Sequence, residues 1–126
     1  GELYPMDDSV TFHLLDTITM TNSELSPFYK YIFDYICTIS DGALSEVLGH
    51  YGLLAIKNNT ELYLRSESLP QFQFICYELA FTDNFDEELK SINKLWKINT
   101  SPDLHQKVDA IIEEFRVEIT ELQKDL

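Results

Sequence analysis

The stretch Phe28-Tyr29-Lys30-Tyr31-Ile32-Phe33-Asp34-Tyr35-Ile36-Cys37-Thr38-Ile39 constrains the fold of this chain more than any other. Ser26-Pro27 precedes it as a helix start signal, a capping hydroxyl followed by proline at the first helical position. Wound into a helix, the stretch is apolar on nearly all sides. Its strongly polar residues, Lys30, Asp34 and Thr38, recur every four positions as one narrow stripe. Such a helix is buried over most of its circumference, so the other elements are expected to surround it. The alternative is that some of its tyrosines reach an interface, where Tyr is enriched.

The chain has the material for such a core: 126 residues, 44% of them hydrophobic and 13% aromatic, suit one domain rather than two or a disordered segment. Residues 1–5, Gly-Glu-Leu-Tyr-Pro, resemble a cloning remnant or a disordered lead ahead of Met6, which leaves 6–126 as the expected globular domain. If Met6 is the initiator, the domain is a complete small protein.

The neighbouring segments divide by periodicity. In 8–20, Val10, Leu14, Leu15 and Ile18 fit a helix, although Val10, Phe12 and Leu14 also alternate. Ser40 opens a second short helix over 41–50, with Ala43, Leu44, Val47 and Leu48 as its buried face and Gly52 as a stop. The runs 53–57 and 61–65 flank Asn58-Asn59-Thr60, a turn-forming tripeptide, and read as a β-hairpin. Segment 69–81 is open between strand, from Phe72 and Phe74, and helix, from Phe72, Cys76 and Leu79; the Ser68-Pro70 opening favours helix. Phe85, Leu89, Ile92, Leu95 and Trp96 define an amphipathic helix ending near Ile98.

Ser101-Pro102 starts the last helix, where Val108, Ile112, Phe115, Ile119, Leu122 and Leu126 alternate in fours and threes as a narrow seam. It packs across its own domain or serves as a homodimer contact through the 103–126 helix. The expected fold is therefore mostly α with a small β-hairpin, an α+β bundle of about five helices with a winged-helix-like middle.

Charge restricts what such a fold can bind. The 22 Asp and Glu against 9 Lys and Arg give a formal charge of -13. Before Arg65 only Lys30 and Lys57 are basic, and the 41–50 helix that a winged-helix protein would insert into DNA carries Asp41 and Glu46 with no cation. Phosphate contact needs the opposite sign, so direct nucleic-acid binding is not expected, and anionic membrane surfaces are repelled. A basic protein would be attracted at an accelerated, salt-sensitive rate. No apolar run approaches the ~20 residues of a membrane span. Cys37 and Cys76 lie singly in apolar segments, as buried thiols do in a reducing cytoplasm.

Catalytic signatures are missing where they are easiest to see: the sequence has no phosphate-cradling glycine loop, no G-x-S-x-G and no H-E-x-x-H. Glu46 with His50, His13 with Asp16 and His105 with Asp109 each offer two metal ligands at helical spacing, but zinc takes three or four. No metal, cofactor or enzymatic activity is expected.

Acids remain as the candidate functional residues. Asp83, Asp86, Glu87 and Glu88 form the densest cluster, and they either complement the positive end of the helix that begins there or face a basic partner. Asp41, Glu46, Glu113 and Glu114 join them as expected partner-binding residues. Together these features suggest an inhibitor or immunity-type protein of the cytoplasm that neutralises a basic protein such as a nuclease by occluding its substrate groove. A protein-interaction or assembly domain of a larger complex is the alternative.

Overall fold

A computed structural model describes residues 9–40 and 44–126. Among them every regular element is helical. The order is α1 (Ser9–Met20), α2 (Ser26–Ile39), α3 (Ser45–Asn58), α4 (Thr60–Leu64), α5 (Phe72–Ala80), α6 (Phe85–Ile98), a 3-10 turn (Pro102–Leu104) and α7 (His105–Lys124). The α+β expectation is thus overturned: the described residues contain no strand, no hairpin and no winged-helix middle. Residues 1–8 and 41–43, with the lead, Met6 and Asp41, lie outside the described part.

The segment expected to be a hairpin is the end of α3 and the short α4. Asn58, Asn59 and Thr60 do break the chain, but for a reason other than a strand turn. Asn58 Nδ2 donates to Thr19 O at 3.0 Å and Asn59 Nδ2 donates to Thr21 O at 2.8 Å. Asn22 Nδ2 returns a bond to Asn58 O at 2.9 Å. The last carbonyls of a helix have no partner within it, and here the side chains of the α3–α4 junction help supply partners at the end of α1.

Gly52 is not a helix stop either. It lies inside α3, where an added Cβ would come within 3.2 Å of Gln71 Cβ and Ile75 Cγ1 of α5. One turn earlier, a Cβ on Gly49 would fall 2.3 Å from Phe74 O and 2.7 Å from Glu78 Cβ. Two glycines three apart share a helix face, and they let α3 and α5 run antiparallel in backbone contact, the most extensive helix pairing of the fold. The buried flank of this contact is Leu48, Ala55, Ile56, Ile75, Cys76 and Leu79.

From that pair the bundle extends both ways. On one side α1 lies along α3, through Leu15 and Ile18 and a 2.9 Å bond from Tyr51 OH to Asp16 Oδ1. On the other, α7 lies along α5, with Phe72 and Phe115 stacked at 4.7 Å between ring centroids, and α6 lies antiparallel to α7. The seam residues Val108, Ile112, Phe115 and Ile119 are all buried inside the domain. Full burial of one such side chain is worth about 1.5–3 kcal/mol, and the seam is spent on this contact. Leu126, its last member, is exposed.

Helix α2 is turned the other way from the expectation. Phe33, Ile36 and Cys37 point inward, but Phe28, Tyr31 and Tyr35 are 59%, 72% and 56% exposed. Two residues of the polar stripe are the ones partly covered: Lys30 Nζ bonds Asp34 Oδ2 at 2.5 Å, Gln71 Nε2 donates to Asp34 Oδ1 at 2.6 Å, and Lys30 Nζ reaches Ser66 Oγ at 3.3 Å. The stripe can face inward because its two opposite charges satisfy each other. Lys30 also lies 5.2 Å from the ring centre of the buried Tyr63, a cation–π distance.

At the base of the bundle, Ser101 N–H and Oγ–H both donate to Glu61 Oε1, at 2.8 and 2.7 Å, tying α4 to the start of the final helix. These bonds from Ser101, more than the nearby Arg65, hold the Glu61 carboxyl below its ordinary range. A lowered carboxyl stabilises the fold at pH values above the unfolded value of about 4.3 and loses that contribution as pH falls through the folded value. Two outcomes are expected from denaturant titration. Gly49→Ala lowers the midpoint with an unchanged slope, a loss of about 1–3 kcal/mol despite a helix-propensity gain of about 1 kcal/mol. Glu61→Gln flattens the acid-side fall in stability below about pH 5, and an unchanged acid limb would show that the Ser101 contact does not matter.

Candidate functional site

Because α3 and α5 are antiparallel, the start of α3, the end of α5 and the start of α6 meet at one end of the bundle. Helix α7 finishes there too, with Gln123 Nε2 donating to Ala80 O at 3.1 Å. This end gathers most of the candidate acids. Glu46 stands in the first turn of α3, Asp83 in the turn after α5, and Asp86, Glu87 and Glu88 in the first turn of α6. All five are exposed.

The α6 acids do complement the helix. Asn84 makes no side-chain cap there, and negative charge in a first turn is worth about 0.3–1 kcal/mol each. That local role does not use up their charge. Asp86 Oδ1 bonds Arg116 Nε at 3.2 Å, and the same guanidinium bonds Glu113, so Arg116 joins the α6 cluster to α7. Lys90 pairs with Glu87 at 3.4 Å and Lys124 with Glu121 at 3.0 Å. Each of these three cations is thus matched to an acid. Such exposed pairs contribute about 0–1 kcal/mol, too little to be the reason the fold holds. Glu46, Glu78, Asp83 and Glu88 have no ion-pair or hydrogen-bond partner among the described residues.

Glu114 points elsewhere, to a small cavity of about 280 Å³ lined also by Ser66, Glu67, Phe72 and Lys107. Lys107 Nζ donates there to Ser66 O at 2.8 Å. Glu114 is therefore set apart from the acids of α3 and α6, while Asp41 lies outside the described residues.

Three residues enter that the sequence did not single out. Tyr77, Glu78 and Phe81 line an open cleft with Glu46 and Thr82. Tyr77 and Phe81 are four apart and share the outer face of α5 and its cap, 45% and 73% exposed. The signal was the charge and aromaticity of 77–81, and the strand-or-helix ambiguity of 69–81 left its facing undecided.

Of the paired ligand candidates, His105 and Asp109 serve structure. His105 Nε2 donates to Lys97 O at 2.9 Å, while Asp109 takes Lys97 Nζ at 2.7 Å and Asn93 Nδ2 at 3.0 Å, so both fasten the end of α6. Lys97 and Asn93 hold the Asp109 carboxyl below its ordinary range. His50 is exposed, with its ring edge-on to Tyr51, and His13 is exposed on α1. Among the described residues no three His, Cys, Asp or Glu side chains converge as a metal site, and no helix is long and apolar enough to cross a membrane.

Both cysteines are free and buried. Burial, reinforced by the Asp34 charge, pushes the Cys37 thiol up to about 12, and burial with a smaller push from Glu118 does the same to Cys76. The thiolate is the reactive form, so neither is fitted to be a nucleophile at neutral pH. No family model, curated protein or solved structure matches the chain. A disulfide-exchange reagent at pH 8 should find no rapidly reacting thiol in the folded protein and two after denaturation. A fast native reaction would show that the burial of one cysteine is transient.

Proposed function

We propose that the chain is an acidic protein-binding inhibitor of the immunity type, acting in the cytoplasm by covering the basic substrate groove of a partner such as a nuclease. The observation that carries this reading is the end of the bundle where Glu46, Glu78, Asp83, Asp86, Glu87 and Glu88 stand together, with the nearby cations already matched to acids. A surface of this sign mimics the polyanion that such a groove receives, and it raises the encounter rate with a basic protein. Two free, buried thiols suit a reducing compartment.

A second reading, an assembly domain, is favoured by the exposed Phe28, Tyr31 and Tyr35 of α2, since aromatic residues are enriched where proteins meet. The terminal seam does not support a homodimer in the same way, because most of it is buried within the domain.

Capture from source lysate at low and high salt separates the readings. The inhibitor reading expects one basic partner, released by salt, whose nucleic-acid cleavage falls to zero at one equivalent of the chain. Replacing Asp83, Asp86, Glu87 and Glu88 by Lys should weaken that complex at least about tenfold, mostly through slower association. Partners that survive high salt, or self-association abolished by Tyr31→Asp, would reject it in favour of assembly through α2.

A further inference from the structure

The cleft between the start of α3 and the end of α5 differs from the rest of the acidic end in holding two aromatic rings beside two unmatched carboxylates. Tyr77 and Phe81 supply the rings from one face of α5, Glu78 comes from the same helix, and Glu46 comes from α3 across the gap. Gly49, one turn after Glu46, brings the α3 backbone against Glu78, so the two helices stand at their closest just behind the cleft. Neither Glu46 nor Glu78 has a hydrogen-bond or ion-pair partner among the described residues, whereas Asp86, Glu87, Glu113 and Glu121 are each bonded to a cation.

This combination has a specific complement. A ring face attracts a cation, and a carboxylate accepts two parallel N–H bonds from a planar fork. Arginine satisfies both at once: its guanidinium is flat, weakly hydrated and always charged, while a lysine ammonium is a compact, strongly hydrated point charge. A neutral apolar anchor would leave both carboxylates facing a covered, unpaired environment, which is costly. A second copy of this chain, at a formal charge of -13, would bring acids to acids.

We propose that this cleft is an arginine-binding subsite, in which the guanidinium of a basic protein partner lies against Phe81 and Tyr77 and bonds Glu46 and Glu78. The inference rests on the acidic-inhibitor reading and adds to it a point of specificity, because charge alone treats lysine and arginine alike. The rest of the acidic end steers the partner, and the cleft selects the side chain that docks.

Two nonapeptides of equal charge test this, one of nine lysines and one with arginine replacing the central lysine, titrated against the full chain by calorimetry at low salt. The arginine peptide should bind about three- to tenfold more tightly. Phe81→Ala removes a largely exposed ring, so the fold should be retained, and the variant should abolish the difference between the two peptides. The double variant Glu46→Gln, Glu78→Gln should abolish it too, and amide resonances of 77–82 should shift with the arginine peptide more than with the lysine peptide. Equal affinities for the two peptides, with no effect of Phe81→Ala, would overturn the subsite and leave the acidic-inhibitor reading standing. Absence of binding by either peptide would overturn both.

Discussion

The contact on which the bundle depends is the backbone approach of α3 to α5 at Gly49 and Gly52. A methyl group at Gly49 would lie 2.3 Å from the Phe74 carbonyl oxygen, so no ordinary side chain fits without moving one of the two helices. Helices α1 and α4 are arranged around α3, and α7 around α5. The spacing of this pair therefore fixes the spacing of the two halves of the core. Helix propensity argues against glycine in a helix interior by about 1 kcal/mol each. The fold accepts that cost twice within one turn, and what it gains is dense packing of Ala55, Ile56, Ile75 and Leu79 beside the glycines.

The same glycines explain much of what the sequence conceals. Read locally, Gly52 is a helix stop and Asn58-Asn59-Thr60 a hairpin turn, and each reading is sound for the residue types involved. Both features answer instead to partners far along the chain: Gly52 to Gln71 and Ile75, the asparagines to the end of α1. Periodicity worked where one face alone decides the matter. In α6, Leu89 and Trp96 are buried and the acids are outside; in α7, the seam from Val108 to Ile119 is inside. It misled in α2, because a pattern records polarity without recording that Lys30 and Asp34 neutralise each other and are further bonded by Ser66 and Gln71.

The candidate site was legible to a similar degree. Asp83, Asp86, Glu87 and Glu88 stand together in sequence and so stand out, and Glu46 was marked by the charge of its helix. That Glu46 meets Glu78, Tyr77 and Phe81 is a product of the antiparallel pairing, and nothing local in either segment announces it. Glu113 joins the α6 acids only through Arg116, thirty positions from Asp86. Acids that serve the fold can be told from those left free once their partners are known: Glu61 holds Ser101, Asp109 holds Lys97, and Asp34 holds Lys30.

The amides of Asn58 and Asn59 also order the birth of the structure in time. A helix of 12 residues such as α1 is marginal in water by itself, and the groups that close its end belong to residues 38 or 39 positions later in the chain. During synthesis α1 emerges before them, and its end lacks these two partners until the α3–α4 junction has followed. The first described helix of the chain is in this sense among the later ones to be secured, held by a latch made further along the polypeptide.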